Sequence, residues 1–155
     1  MLMRSQRRLP VTERWVLNTS PLIVLAHVGQ ERLFRALADD VVIPRAVVKE
    51  IKAGLADDRA RQAIAGGRFA IVDAVPAPEI LAWDLGAGET AVLSYALEEP
   101  GWTVILDDAA AKVCAELCSA AQRHPGSGRT GQATRVDPLC GRCFALLAQN
   151  RLPPR

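Results

Sequence analysis

Four short apolar runs, separated by stretches of helical periodicity, constrain this chain more than any other feature. Residues 15–17, 41–43, 69–72 and 103–106 are too short for helices and too apolar for surface loops. Between them the spacing predicts helices over 21–28, 31–38, 44–52, 57–65 and 89–98, with one more over 109–117. Strands and helices alternating at these intervals call for a parallel sheet covered by helices on both faces. The punctuation agrees. Ser20 stands as an N-cap ahead of Pro21, and Gly29, Gly54 and Gly66-Gly67 follow helix ends. Leu33, Phe34 and Leu37 are expected on one buried face, as are Val92, Leu93, Ala96 and Leu97. Pro76 and Pro78 mark a loop.

With 155 residues, half of them hydrophobic and 23% charged, the chain has the composition of one globular domain. That excludes a disordered, collagen-like or coiled-coil chain. A chain of this length buries roughly 70% of its unfolded surface, so its core needs no disulfide or metal staple. The net charge of +2 conceals a split. Residues 1–14 carry four Arg against Glu13, a basic arm. Residues 15–117 carry nine basic against fifteen acidic side chains, and residues 118–155 carry six Arg against Asp137. After about residue 120 the periodicity fades into an Arg- and Gly-rich tail, 121–155, in which 144–148 reads as one last short helix. No apolar run follows the basic start, and the longest, 21–28, is far too short to span a bilayer. The expectation is a cytoplasmic protein without membrane contact, its four Cys reduced.

Ligands of open parallel sheets gather at the carboxyl ends of the strands. Two of the predicted strands end there in polar residues, the first at Asn18 and the fourth at Asp107-Asp108. Glu50, beside the apolar stripe of its helix, and Glu89, in the first turn after Gly86-Ala87-Gly88, can reach the same edge. Four carboxylates and an amide oxygen make a hard-oxygen set suited to Mg²⁺ or Mn²⁺. Such ions stabilise charge on a phosphoryl group during displacement. Each residue also has a plainer reading: Asn18 as a turn former, Glu50 as a solvated charge between Lys49 and Lys52, Glu89 as a dipole-matching acid, Asp107 as an N-cap, Asp108 as a first-turn charge.

Leu17-Asn18-Thr19-Ser20-Pro21-Leu22-Ile23, Ile43-Pro44 with Glu50-Ile51, Leu85-Gly86-Ala87-Gly88-Glu89 and Leu106-Asp107-Asp108 occur in the order and at the intervals of PIN domains. The sequence resembles in particular their Asn-Thr-Ser-Pro branch, related to VapC toxins, over residues 15–120. The resemblance implies a three-layer α/β/α sandwich and a metal-dependent endoribonuclease, the toxin of a bacterial toxin–antitoxin pair. It implies Glu50, Glu89 and Asp107 as the catalytic acids, and Asn18 and Asp108 as further metal ligands. Thr19 and Ser20 match the family's hydroxyl residues and are expected at the substrate. RNA, an antitoxin protein and a second copy of the chain are the implied partners.

Two departures stand out. Asn18 occupies a position where most active members have Asp; it brings no negative charge and cannot act as a base. A catalytically impaired PIN-fold module that binds RNA or protein is therefore the alternative. Residues 119–142 do not resemble the strand and helix with which family members continue; a coding-frame shift near Cys118 that recovers towards Ala145-Leu146-Leu147 would produce such a segment. Two further features stay open. Cys114-x₃-Cys118 and Cys140-x₂-Cys143, with His124 between, have spacings that structural zinc accepts, while Cys114 and Cys118 equally suit buried thiols of one helix. The Arg-rich tail suits RNA phosphates, an acidic partner or plain solvation.

Overall fold

The computed structural model describes residues 12–55, 58–107, 109–110, 112–113 and 115–116, together with the backbone of a strand at 143–145. The N-terminal arm up to residue 11, Asp108, the rest of the tail and the side chains of the candidate zinc ligands lie outside the described residues.

Five strands, β1 (Arg14–Leu17), β2 (Asp40–Pro44), β3 (Ala70–Val72), β4 (Thr103–Leu106) and β5 (Cys143–Ala145), form one sheet in the order β3-β2-β1-β4-β5. Every pairing is parallel. Helices α1 (Thr19–His27) and α2 (Arg32–Leu37) connect β1 to β2, and α3 (Arg45–Ala53) and α4 (Arg59–Ala65) connect β2 to β3. Helices α5 (Pro78–Leu81) and α6 (Ala87–Glu98) lead to β4, after which residues 109–110, 112–113 and 115–116 are helical. The result is a three-layer α/β/α sandwich. Among the described residues, no helix is long and apolar enough to cross a membrane.

The sequence pattern accounts for the layering. Trp15, Val16 and Leu17 of β1 and Val104, Ile105 and Leu106 of β4 are all buried, as befits central strands covered on both faces. Helix α3 buries only Val47, Val48 and Ile51, whereas α6 buries eight of its twelve residues, among them Gly88, Ala91, Ser94 and Ala96. Small residues let α6 sink into the core, so its buried surface is wider than the single stripe expected.

Four local expectations need correction. Helix α1 starts at Thr19, with Asn18 rather than Ser20 in the N-cap position. Asn18 is still extended, and its N–H bonds the Ile105 carbonyl of β4 at 3.1 Å, so the strand passes straight into the helix. Pro21 then sits in the first turn, where a missing N–H costs nothing. In α2 only Phe34 is buried, stacked edge-on against Phe69 at 6.3 Å, while Leu33 and Leu37 are 41% and 56% exposed. A helix of six residues has too few turns to present a whole face. The Pro76–Pro78 loop contains the one-turn helix α5, which has Pro78 in its first turn and buries Ile80. Ahead of it the Ala77 N–H donates to the buried Ser94 hydroxyl at 2.9 Å. Finally, residues 143–145 form β5, overlapping the start of the helix read over 144–148, because β4 offers them a parallel edge, from Val104↔Cys143 to Leu106↔Ala145.

At the opposite end of α1, His27 meets the start of α4. Its Nε2 lies 2.9 Å from Asp58 Oδ2, Asp58 Oδ1 accepts the Ala60 N–H at 2.7 Å, and Arg59 donates to the His27 carbonyl at 3.2 Å. The hydrogen bond from His27 has the largest influence on the Asp58 carboxyl, and with the Ala60 and Arg61 N–H groups it outweighs the opposing effect of burial and holds the group below its ordinary value.

Two predictions follow from this packing. Phe34→Ala should cost about 3–5 kcal/mol in denaturant unfolding, whereas Leu37→Ala should change stability by less than about 0.5 kcal/mol. Asp58 binds its proton more weakly folded than unfolded, so its contribution is complete above the ordinary aspartate range and lost as pH falls through the lowered value. Thermal melts should therefore show a smaller acid-induced loss of stability for Asp58→Ala than for the unaltered chain, from a lower starting point.

Candidate active site

The chain runs β1, β2, β3 in one direction across the sheet and then returns past β1 to β4. The connections therefore diverge between β1 and β4, and a crevice at the carboxyl ends of these two strands is where such sheets bind ligands. Asn18 follows β1 and Asp107 follows β4 at this point. Asn18 is 4% exposed, and its Oδ1 is buried with no hydrogen-bond partner among the described residues. An unpaired buried amide oxygen is costly, which is expected where an oxygen is reserved for a ligand.

Helices α3 and α6 bring Glu50 and Glu89 to the same region. One oxygen of the Glu50 carboxylate, Oε2, accepts a short hydrogen bond from the Thr19 hydroxyl at the first residue of α1. The other, Oε1, accepts the Gly88 N–H in the first turn of α6 at 2.8 Å. A carboxylate there satisfies an otherwise unpaired helix N–H and matches the positive end of the helix dipole. The carboxylate can lie this close only because residue 88 is glycine: a Cβ there would stand 2.5 Å from Glu50 Oε2 and 2.9 Å from its Cδ. Glu89, the next residue, is half-buried in the same turn.

Asp107 caps the helical residues that follow, its Oδ1 accepting the Ala110 N–H at 2.7 Å. Its Oδ2 has no hydrogen bond among the described residues. Ser20 is half-buried in the first turn of α1, and Asp108 lies outside the described residues. Thr19, expected at the substrate, spends its hydroxyl on Glu50. Thus the fold joins Thr19, Glu50 and Gly88 by direct contact and sets Asn18, Glu89 and Asp107 on neighbouring strand and helix ends. Among the described residues, no three His, Cys, Asp or Glu side chains are gathered closely enough to hold a metal by themselves. The donors present are all oxygen, the chemistry a hard divalent cation requires, and Asn18 Oδ1 is the fully buried one among them that has no partner among the described residues.

The sequence reading overlooked Gly88 as a partner of Glu50, although the second Gly of Gly-x-Gly ahead of an acid signals a close backbone approach. It also overlooked the ion pair on the flank of the edge, where Arg45 Nε meets Asp73 Oδ1 at 2.7 Å beyond β2 and β3. The hydrogen bond and then the charge of Arg45 hold the Asp73 carboxyl below its ordinary value, aided by the charge of Lys49.

Gly88→Ala should leave the melting temperature nearly unchanged, because the flexible end of Glu50 can swing aside, yet it should move the carboxylate off the α6 N–H. A crystal structure of the variant with Glu50 still bonded to that N–H would contradict this.

A family model described as a PIN domain matches residues 14–120. PIN domains are generally nucleases, and those nucleases generally use divalent metals. No curated protein and no solved structure matches the chain. The parallel sandwich, the polar residues at the β1–β4 divergence and this match over most of the chain lead to one conclusion: the chain belongs to the PIN-domain family.

Proposed function

We propose that the protein is a divalent-metal-dependent endoribonuclease, the toxin of a bacterial type II toxin–antitoxin pair acting in the cytoplasm. The observation that carries the reading is the unpartnered, buried Oδ1 of Asn18 at the divergence of β1 and β4, with Glu50, Glu89 and Asp107 on the adjoining helix and strand ends. Asn18, Glu50, Glu89 and Asp107 would hold Mg²⁺ or Mn²⁺, with Asp108 the further ligand that the resemblance implies. When bound, the ion supplies stabilisation of the charge that builds up on the scissile phosphodiester.

The chain's own groups perform the rest. Thr19 and the Gly88 N–H fix the direction of Glu50, so its carboxylate is ordered before any ligand arrives. Asp107 is oriented through Oδ1 by the Ala110 N–H, which leaves Oδ2 without a hydrogen bond among the described residues. Asn18 adds an oxygen without adding charge, so the site binds a cation less strongly than its aspartate counterpart. Toxin status rests on the resemblance of Asn18-Thr19-Ser20-Pro21 to the VapC-related branch, and it brings an antitoxin protein and a homodimer as partners.

The second reading, a PIN-fold module that binds RNA or protein without cleaving, is favoured by the neutral Asn18 and by the commitment of Glu50 and Asp107 to internal hydrogen bonds. An RNA cleavage assay with Mg²⁺ or Mn²⁺ decides. Glu89→Gln and Asp107→Asn should each lower kcat/KM by roughly 10²-fold or more, and activity surviving both would remove the nuclease reading. Asn18→Asp should tighten Mn²⁺ binding by calorimetry about tenfold. Unchanged binding would show that Asn18 takes no part in holding the metal. RNA bound but left intact by the unaltered protein would establish the second reading.

A further inference from the structure

The domain between residues 15 and 117 is acidic, yet three of its nine basic side chains, including two of the chain's three lysines, lie on α3. Arg45, Lys49 and Lys52 are all exposed. At i, i+4 and i+7 they fall within about 60° of one another around the helix, in a line about 10 Å long. Val47, Val48 and Ile51 are buried on the remaining side. Glu50, the one acid on α3, has its carboxylate bonded to α1 and α6 and pairs with neither lysine. Lys49 and Lys52 have no ion pair among the described residues. Arg45 does have one, with Asp73, but both partners face solvent, and an exposed pair of this kind is weak and screened by salt.

The line begins at the sheet's carboxyl edge, because α3 starts at the residue after β2. It thus runs from the β2 flank of that edge, on the helix that carries Glu50, down the helix's outer surface. We propose that Arg45, Lys49 and Lys52 form the track on which single-stranded RNA lays successive phosphates as it reaches the cleft. The assignment rests on the ribonuclease reading and adds to it the residues that hold the substrate strand. An acidic cleft repels a polyanion, so a nearby row of cations is needed to bring the strand to it. Phosphate contacts require only positive charge and confer affinity without sequence choice. Charges stepped by about 6 Å and then about 4.5 Å along a helix suit a chain of repeating anions better than one isolated anion.

The test is fluorescence anisotropy with a labelled single-stranded oligoribonucleotide, in EDTA so that no cleavage intervenes, across a salt series. The slope of log affinity against log salt should fall in magnitude by about 0.7 for each lysine removed, hence by about 1.4 in Lys49→Gln/Lys52→Gln. Affinity at low salt should fall severalfold, with the melting temperature unchanged. Asp73→Asn, which releases Arg45, should bind more tightly. A double variant that keeps the unaltered slope overturns the track, as does an equal loss of binding to polyglutamate, which would show a general anion surface. A parallel Mn²⁺ cleavage assay separates the two readings: cleavage with an unaltered slope rejects the track alone, and the expected slope without cleavage rejects the nuclease alone.

Discussion

The contact on which the candidate site depends is the carboxylate of Glu50, held between the Thr19 hydroxyl and the Gly88 N–H. It ties the starts of α1 and α6 to the side of α3, three elements that arrive from different connections of the sheet. The carboxylate also fills the positive end of α6, which would otherwise attract water or a stray anion. Gly88 makes this possible by having no side chain. The same contact determines what surrounds it: Glu89 follows in the turn that receives the carboxylate, and Lys49 is left beside it on the exposed face of α3.

Charge is distributed with equal consequence. Carboxylates brought to one edge repel each other and any phosphodiester, and the structure counters this in separate ways. Internal N–H and O–H donors engage Glu50 and Asp107, Asn18 replaces one charge by a neutral oxygen, and cations stand on the neighbouring helix face. A site so arranged has a lower requirement for a cation to hold its acids together than a fully charged one. That is the physical consequence of a neutral amide at position 18, and it explains why binding and cleavage need to be measured apart.

Much of the fold was legible because its signals are local. The central strands read as continuous apolar runs, since burial on both faces removes alternation, and Gly54 and Gly66 marked the ends of α3 and α4 as expected. The errors arose where a partner distant in sequence decides. Leu33 and Leu37 have the spacing of a buried face, but only Phe34 finds an aromatic neighbour, Phe69. Ser20 has the chemistry of a cap, but the hydrogen bond from Asn18 to Ile105 places the helix start earlier. Residues 143–148 form one apolar run that suits a helix or a buried strand equally, and pairing with β4 makes 143–145 a strand.

The α/β alternation and the identity of the acids at strand and helix ends follow from the amino-acid order alone, because periodicity and punctuation are properties of neighbouring residues. Three-dimensional packing was needed to show that Thr19 serves Glu50, that Glu50 reaches the α6 N–H only past a residue with no side chain, and that Asn18 keeps a buried oxygen without a partner among the described residues. It alone showed that Arg45 and Lys49 flank the edge beside Asp73. These are relations between residues that the sheet order brings together across 28 to 38 positions of chain, and no local pattern specifies such a distance.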